Sequence, residues 1–308
     1  MTREKLQRLI EDFTDNSQVN YLGLALSADE ESKYGKYGSP VIGKPDEVVE
    51  KGIVDEFRGM RFFMHPIFSV TRADDPGFAE IKRPEVVGEH HLMPYDWLPE
   101  AKTVLSFFLP INRDTVEANK KDPSVPAREW LCTRVDGQRS LMSLGAYVSE
   151  ALVTDGHKAI APITSPRYIM RVAEETMPEG AGHVPKFSTN WSERHVAVVT
   201  GLGTFGLSTN FISRVGCAGR LVSVVTDWDI EPDARDYDDW LGYCNRCGAC
   251  IAKCKGEAHF KDRPGKDHSV CSAFMGKIRQ ANLEHYAARY GCGKCQSGIP
   301  CEYEAKKA

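Results

Sequence analysis

Cys244, Cys247, Cys250 and Cys254 stand in the spacing C-x2-C-x2-C-x3-C, and Cys271, Cys292, Cys295 and Cys301 follow before the 308-residue chain ends. No other feature constrains the fold as much. Two tight C-x2-C turns bring three thiolates to three irons of one cubane, and the fourth cysteine swings away toward a second cluster. By that crossed logic, cluster one takes Cys244, Cys247, Cys250 and Cys301, and cluster two takes Cys254, Cys271, Cys292 and Cys295. Eight ligands then serve two [4Fe-4S] clusters. Structural zinc would want tetrahedral sites built from pairs of C-x2-C loops, and disulfides would want a secreted chain; a redox dithiol is the third alternative. The third close cysteine and the x3 step favour iron and sulfide over zinc. Two details depart from the usual pattern: Lys255 stands where proline commonly follows the fourth cysteine, and the step from Cys295 to Cys301 is longer than x3.

The rest of the chain is long enough for a large core and about two domains. Its 42% hydrophobic and 27% charged content is that of an ordinary globular protein. No run approaches the ~18 apolar residues of a membrane helix, and Met1-Thr2-Arg3-Glu4-Lys5-Leu6 has neither an apolar signal region nor a twin arginine. A cytoplasmic setting is expected, with thiols as metal ligands and an oxygen-poor cell suiting exposed clusters. A net charge of -4 argues against a broad nucleic-acid surface.

Residues 2 to 13 place Leu6, Leu9, Ile10 and Phe13 on one helical face, with Thr2 as the N-cap. Leu22, Leu24 and Leu26 alternate with Gly23 and Ala25, which predicts a strand over residues 20–27. The next seventy or so residues, rich in glycine, proline and charge, read as long connections with an aromatic knot at Phe62, Phe63 and Phe68. The adjacent His90 and His91 point apart in extended chain and read as surface groups or groups behind a site rather than metal ligands. Thr103 to Leu109 is a near-continuous apolar strand suited to cover on both faces. Leu141, Leu144, Val148, Ala151 and Leu152 recur at helical spacing, with Gly156 placed to end that helix, and residues 157–164 read as another strand. Strand, helix, strand predicts an α/β core.

Gly201-Leu202-Gly203-Thr204-Phe205-Gly206 has the spacing G-x-G-x-x-G, but no strand-turn-helix with a later ribose-binding acid surrounds it, so a dinucleotide fold is rejected. Val196, Val198 and Val199 before it favour a strand by composition. Glycines here either let backbone amides approach a large flat cofactor or make a tight turn between packed elements.

Glu193-Arg194, these glycines, the strand near residues 221–227, and Tyr290-Gly291-Cys292 with Cys295-Gln296 together resemble the epoxyqueuosine reductase and reductive dehalogenase superfamily. Pro99-Glu100-Ala101 before the strand ending at Pro110 is similar to its N-terminal half. The resemblance spans residues 95 to 301. It implies a nitroreductase-like α/β (α+β) core over residues 1–238 and a ferredoxin-like domain with two [4Fe-4S] clusters over residues 239–308. It also implies a base-off cobalamin between them, electrons passing through the clusters to make Co(I), and a ferredoxin or flavodoxin as donor. Gly201, Gly203, Phe205, Gly206, Ser208, Thr209 and Asn210 become the cobalamin-facing candidates. The aspartate that epoxyqueuosine reductases carry six positions before the Glu-Arg pair is Phe187 here, which cannot donate a proton. A tyrosine with a basic neighbour, as in reductive dehalogenases, has its best local match in Tyr168 with Arg167; His183, Arg194 and His195 are the alternatives. The expected activity is reduction of a small molecule, dehalogenating or deoxygenating; the alternative is an electron-transfer protein or an activator of a separate corrinoid protein. Cys132 reads as a small apolar residue, as Cys217 does unless it touches a cofactor. The acidic stretch 227–240 reads as a solvated linker, or as a dock for a positively charged donor.

Overall fold

Residues 1–38, 47–171, 188–286 and 289–306 are described in a computed structural model. Helices α1 (Arg3–Asn16), α2 (Ala28–Tyr34) and α3 (Glu47–Glu56) precede strand β1 (Ile67–Arg72). Short helices α4 (Gly77–Ile81) and α5 (Pro94–Trp97) lead into β2 (Thr103–Pro110), followed by α6 (Arg113–Lys121), α7 (Arg128–Val135) and α8 (Gly137–Thr154). The chain continues through β3 (Ala159–Ile160), β4 (Met170–Arg171), β5 (Ser188–Thr189), α9 (Glu193–Val199), β6 (Gly203–Phe205), β7 (Phe211–Ser213) and β8 (Gly219–Thr226). It closes with α10 (Ala249–Ala252) and α11 (His268–Tyr286).

The core is built on the apolar run of β2, buried from Thr103 through Leu109. Its side chains alternate between two layers. Leu105, Phe107 and Leu109 join Leu6, Ile10, Leu144, Val148 and Val222 on the face covered by α1 and α8. Val104 joins Val225, Trp191, Val196, Phe78 and Trp97 on the other, beneath α9. Helix α8 approaches β8 closely because Gly145 has no side chain: a Cβ there would lie 2.9 Å from Val222 Cγ2. Gly156, at φ +92°, ends α8 in the left-handed conformation as its position predicts.

The sheet order is β1-β2-β8-β3, and every pairing is antiparallel. The expected α/β crossover is therefore corrected to an α+β arrangement. The predicted strand over 157–164 is only two residues long, because Pro162 supplies no N–H and opens a 3-10 turn. No strand forms over 20–27. Gly23 turns at φ +68°, Asn20 spends its side chain on the carbonyls of Thr14 and Phe63, and Ser27 caps α2 in a capping box with Glu30. The supposed long connections contain α3, β1, α4 and α5. Residues 193–199 form helix α9 despite their valines, since an apolar face with Val196, Ala197 and Val199 covers the sheet.

The acidic stretch 227–240 is largely exposed, but several of its carboxylates are tied down. Asp229 pairs with Arg72, Asp233 with Arg3 and with the amide of Val70, and Asp236 accepts from Tyr243 at 2.5 Å. These contacts strap it across β1.

Candidate cluster and proton-donor sites

The glycine-rich segment is a β-hairpin, β6 and β7 joined through Gly206–Asn210. Gly203 is required for packing: a Cβ there would lie 2.1 Å from the carbonyl oxygen of Ile212. Gly201, at φ +83°, turns beside Arg235 and Ser69, and Phe205 is buried between His195 and Trp240. Gly206, Ser208 and Asn210 line a cavity together with Cys244, Cys247, Cys250 and Cys301. Thr209, at φ +56°, offers its carbonyl to Arg194 at 3.2 Å.

Two residues wind the first cysteine loop tightly, Arg246 at φ +57° and Gly248 at φ +74°. Cys301 reaches the same cavity because the 296–302 segment lies along residues 217–218: Cys217 N donates to Cys301 O at 2.9 Å, and Gln296 Nε2 to Cys217 O at 2.9 Å. Cys217 is itself buried in the cavity wall, its sulfur 3.9 Å from that of Cys301. It stands there, as Cys295 does, beside the four thiols expected in that cavity. Cys132, by contrast, is wholly buried among apolar side chains, and burial pushes its thiol up to about 12.

Cys295, expected with the second cluster, lines this same cavity, whereas Cys254, Cys271 and Cys292 do not. Asn210 Nδ2 lies 3.1 Å from Cys295 Sγ and 3.0 Å from Cys295 O, while Ala258 N donates toward Cys254 Sγ at 3.3 Å. Such N–H groups aimed at sulfur suit thiolates that carry cluster charge. Among the described residues no three His, Cys, Asp or Glu side chains converge on a single-ion site. A zinc ion would need four donors about 2.0–2.3 Å from one centre, whereas cysteines from several separate segments line one cavity here.

The 289–302 segment is clamped to the helices of the core. Lys294 Nζ, buried, donates to the carbonyls of Asn119 (2.5 Å) and Asp122 (2.7 Å), capping α6. Gly293, at φ +70°, sits against Trp130, whose ring a Cβ would enter at 2.0 Å. Arg289 pairs with both Glu50 and Asp136, which hold its guanidinium above the usual arginine range.

Across the core, Arg167 and Tyr168 do not form a tyrosine with a basic neighbour. Arg167 donates to the carbonyls of Asp96 and Trp97 at 2.7 and 2.8 Å and stacks on Trp97. Tyr168 packs into the second layer, where burial and the nearby Glu193 carboxyl raise its phenol further. Glu193 escaped the sequence reading as a titratable group. Both its carboxyl oxygens are buried with only Ser223 near enough to offer weak hydrogen bonds, and desolvation pushes it up to about 7. The sequence held no signal for this beyond the Glu-Arg pair itself.

His91 is not a surface group: it is fully buried, stacks on Trp191 and accepts from Ser192 N at 3.0 Å, and burial pushes it down to about 3. His90 points elsewhere, toward Ser188 Oγ at 2.5 Å. His195 is bonded to Ser192 Oγ at 2.7 Å and is pushed down to about 4 by burial. Phe187 and His183 lie outside the described residues.

No protein-family model matches the sequence, and no curated protein matches it. Among solved structures the chain is similar to a selenomethionine-labelled epoxyqueuosine reductase, at TM-score 0.47 and 15% identity over 85% of this chain and 67% of that one. It is similar to epoxyqueuosine reductase from Bacillus subtilis at TM-score 0.45 and 15% identity, covering 83% and 64%. It is also similar to a catabolic reductive dehalogenase in complex with 3-bromo-4-hydroxybenzoic acid, at TM-score 0.49 and 13% identity, covering 98% and 37%. The chain therefore spans 67% and 64% of the two reductases and 37% of the dehalogenase. No helix among the described residues is long and apolar enough to cross a membrane.

Proposed function

We propose that the chain is an iron–sulfur reductase with two [4Fe-4S] clusters and a corrinoid, acting reductively on a small molecule by dehalogenation or deoxygenation. The observation that carries this reading is the cavity where Cys301 meets Cys244, Cys247 and Cys250 across the hairpin tip. Those four residues hold the first cluster, and Cys254, Cys271, Cys292 and Cys295 hold the second. When bound, the clusters supply one-electron transfer and the corrinoid supplies reducing chemistry at cobalt. The division into 1–238 and 239–308 separates the substrate-binding core from the cluster-binding module.

The chain's own residues position, bind and move protons. Ser208 and Asn210 direct polar groups at cysteine sulfurs, in contact with Cys250 and Cys295. Tyr168 keeps its proton, and Glu193 beside it is uncharged on the acid side of about 7, so the pair stores a proton in a dry layer. Next in sequence to Cys254 and Cys271 lies a groove lined by apolar Val270, Ala273 and Phe274 together with Lys255, Lys277 and Glu257. An apolar strip with a cationic rim beside a cluster suits transient docking of an acidic ferredoxin or flavodoxin.

Anaerobic reconstitution with iron, sulfide and cobalamin, followed by gel filtration and metal analysis, tests the reading. About eight irons and one cobalt per chain are expected. Eight irons without cobalt would shift it to an electron-transfer protein or an activator of another protein's corrinoid. Zinc in place of iron would overturn it.

A further inference from the structure

We infer that Cys217 and Cys301 are a redox-sensitive pair, closing to a disulfide when the first cluster site is empty and a peroxide enters it. The consequence for the cluster rests on the reading of Cys301 as its ligand, whereas the pair itself does not. Cys217 lies between β7 and β8, and Cys301 lies in the closing segment 84 residues further on. Gly216 lets the two segments meet: it turns at φ +95°, and a Cβ there would collide with the carbonyl group of Glu302. The contact is then fastened from both sides. Cys217 N donates to Cys301 O at 2.9 Å, Ala218 N to Glu302 O at 3.3 Å, and Gln296 Nε2 to Cys217 O at 2.9 Å. Extended chains joined by such bonds run about 4.7–4.9 Å apart, and a disulfide spans Cα atoms about 4.4–6.8 Å apart. The two sulfurs stand 3.9 Å apart. Rotation of the side chains about their Cα–Cβ bonds covers the remaining distance to a bond of about 2.05 Å.

The surroundings set the order of events. Cys217 is 1% exposed and packs with Ile212, Tyr243 and Ile299, whereas Cys301 is half-buried and lines the cavity with Cys244, Cys247 and Cys250. A small oxidant therefore meets Cys301 first. With hydrogen peroxide, the Cys301 thiolate attacks one oxygen, the O–O bond breaks, and the other oxygen leaves as hydroxide and is protonated to water. Cys301 is then a sulfenic acid. The Cys217 thiolate attacks its sulfur, the S–S bond forms, and hydroxide again leaves to become water. Two thiols have lost two electrons and two protons, and one peroxide has become two waters. A cluster held by Cys301 withholds its sulfur from this reaction. Closure in turn withdraws Cys301 from the cluster site, spares it from irreversible oxidation to sulfinic acid, and defers cluster assembly until a dithiol reductant reopens the bond.

The test uses the full chain purified without oxygen, both loaded with iron and after removal of iron by a chelator. Each form is treated with hydrogen peroxide, its free thiols are blocked in denaturant, and the unreduced digest is read by mass spectrometry. Fragmentation separates Cys301 from Cys295, which shares its tryptic peptide. A Cys217–Cys301 link is expected in the iron-free chain, reversed by dithiothreitol, and forming at least tenfold more slowly in the iron-loaded chain. The oxidised chain given iron and sulfide without a reductant should take up about four irons, and about eight after dithiothreitol. In Cys217→Ser the link is absent and Cys301 accumulates as sulfinic acid. Linking at equal rates with and without iron supports the pair and counts against Cys301 as a ligand, so the two readings fail separately. Absence of the link from the oxidised iron-free chain, or links joining Cys301 to Cys244, Cys247, Cys250 or Cys295 in its place, overturns the inference.

Discussion

Replacing Glu193 with glutamine should make the protein more stable at alkaline pH and remove a pH dependence. Burial pushes the carboxyl up to about 7 in the folded chain against 4.5 in its ordinary state, and only weak hydrogen bonds from Ser223 oppose the shift. A raised carboxyl favours the folded state only while protonated. Its contribution is fully present below about pH 4.5 and is lost as pH rises through about 7. At 1.36 kcal/mol per pH unit, the loss amounts to about 3 kcal/mol by pH 8. Glu193→Gln keeps the shape and cannot ionise. Urea unfolding at pH 5 should give nearly equal stabilities for the two proteins, and at pH 8 the variant should exceed the parent by about 2–3 kcal/mol. Measuring the midpoint and slope across pH 5 to 8 provides the check. Parallel pH profiles for parent and variant would refute the reasoning, since the buried carboxyl would then not be the group that titrates.

Cys301→Ser should lower iron from about eight to about four per chain, while Cys217→Ser leaves it near eight; the reverse result would make Cys217 the fourth ligand of the first cluster. Lys294→Met removes the cap on α6 and strands the carbonyls of Asn119 and Asp122, costing about 2–4 kcal/mol in urea unfolding. A change below about 0.5 kcal/mol would show that solvent replaces the ammonium. Lys255→Glu with Lys277→Glu should slow reduction by an acidic ferredoxin about tenfold at low salt and abolish its salt dependence, with reduction by dithionite unchanged. Equal rates in stopped flow would remove the groove as the donor's dock.

Some elements were legible because one local rule settled them. The apolar run at 103–109 is a strand buried on both faces, the 3.6-residue repeat ending before Gly156 is α8, and Thr2 caps α1 through Lys5 N. Others failed where local preference met tertiary packing. The valines of 193–199 suit a strand, but the sheet needed a covering helix there, and α9 buries Val196, Ala197 and Val199 against it. The alternating leucines after Asn20 suit a strand too, yet Gly23 and the capping serine at 27 break it. The direction of the sheet was invisible, since antiparallel pairing of β8 with both β2 and β3 depends on where distant strands land.

The sequence by itself determined the cysteine spacing, a glycine-rich turn and an apolar central strand, each encoded within a few neighbouring residues. Only the tertiary structure decided that Cys217 stands beside Cys301 and that the carboxyl of Glu193 is buried. Charge, desolvation and close approach are set by which segments pack together, and no spacing along one segment encodes that.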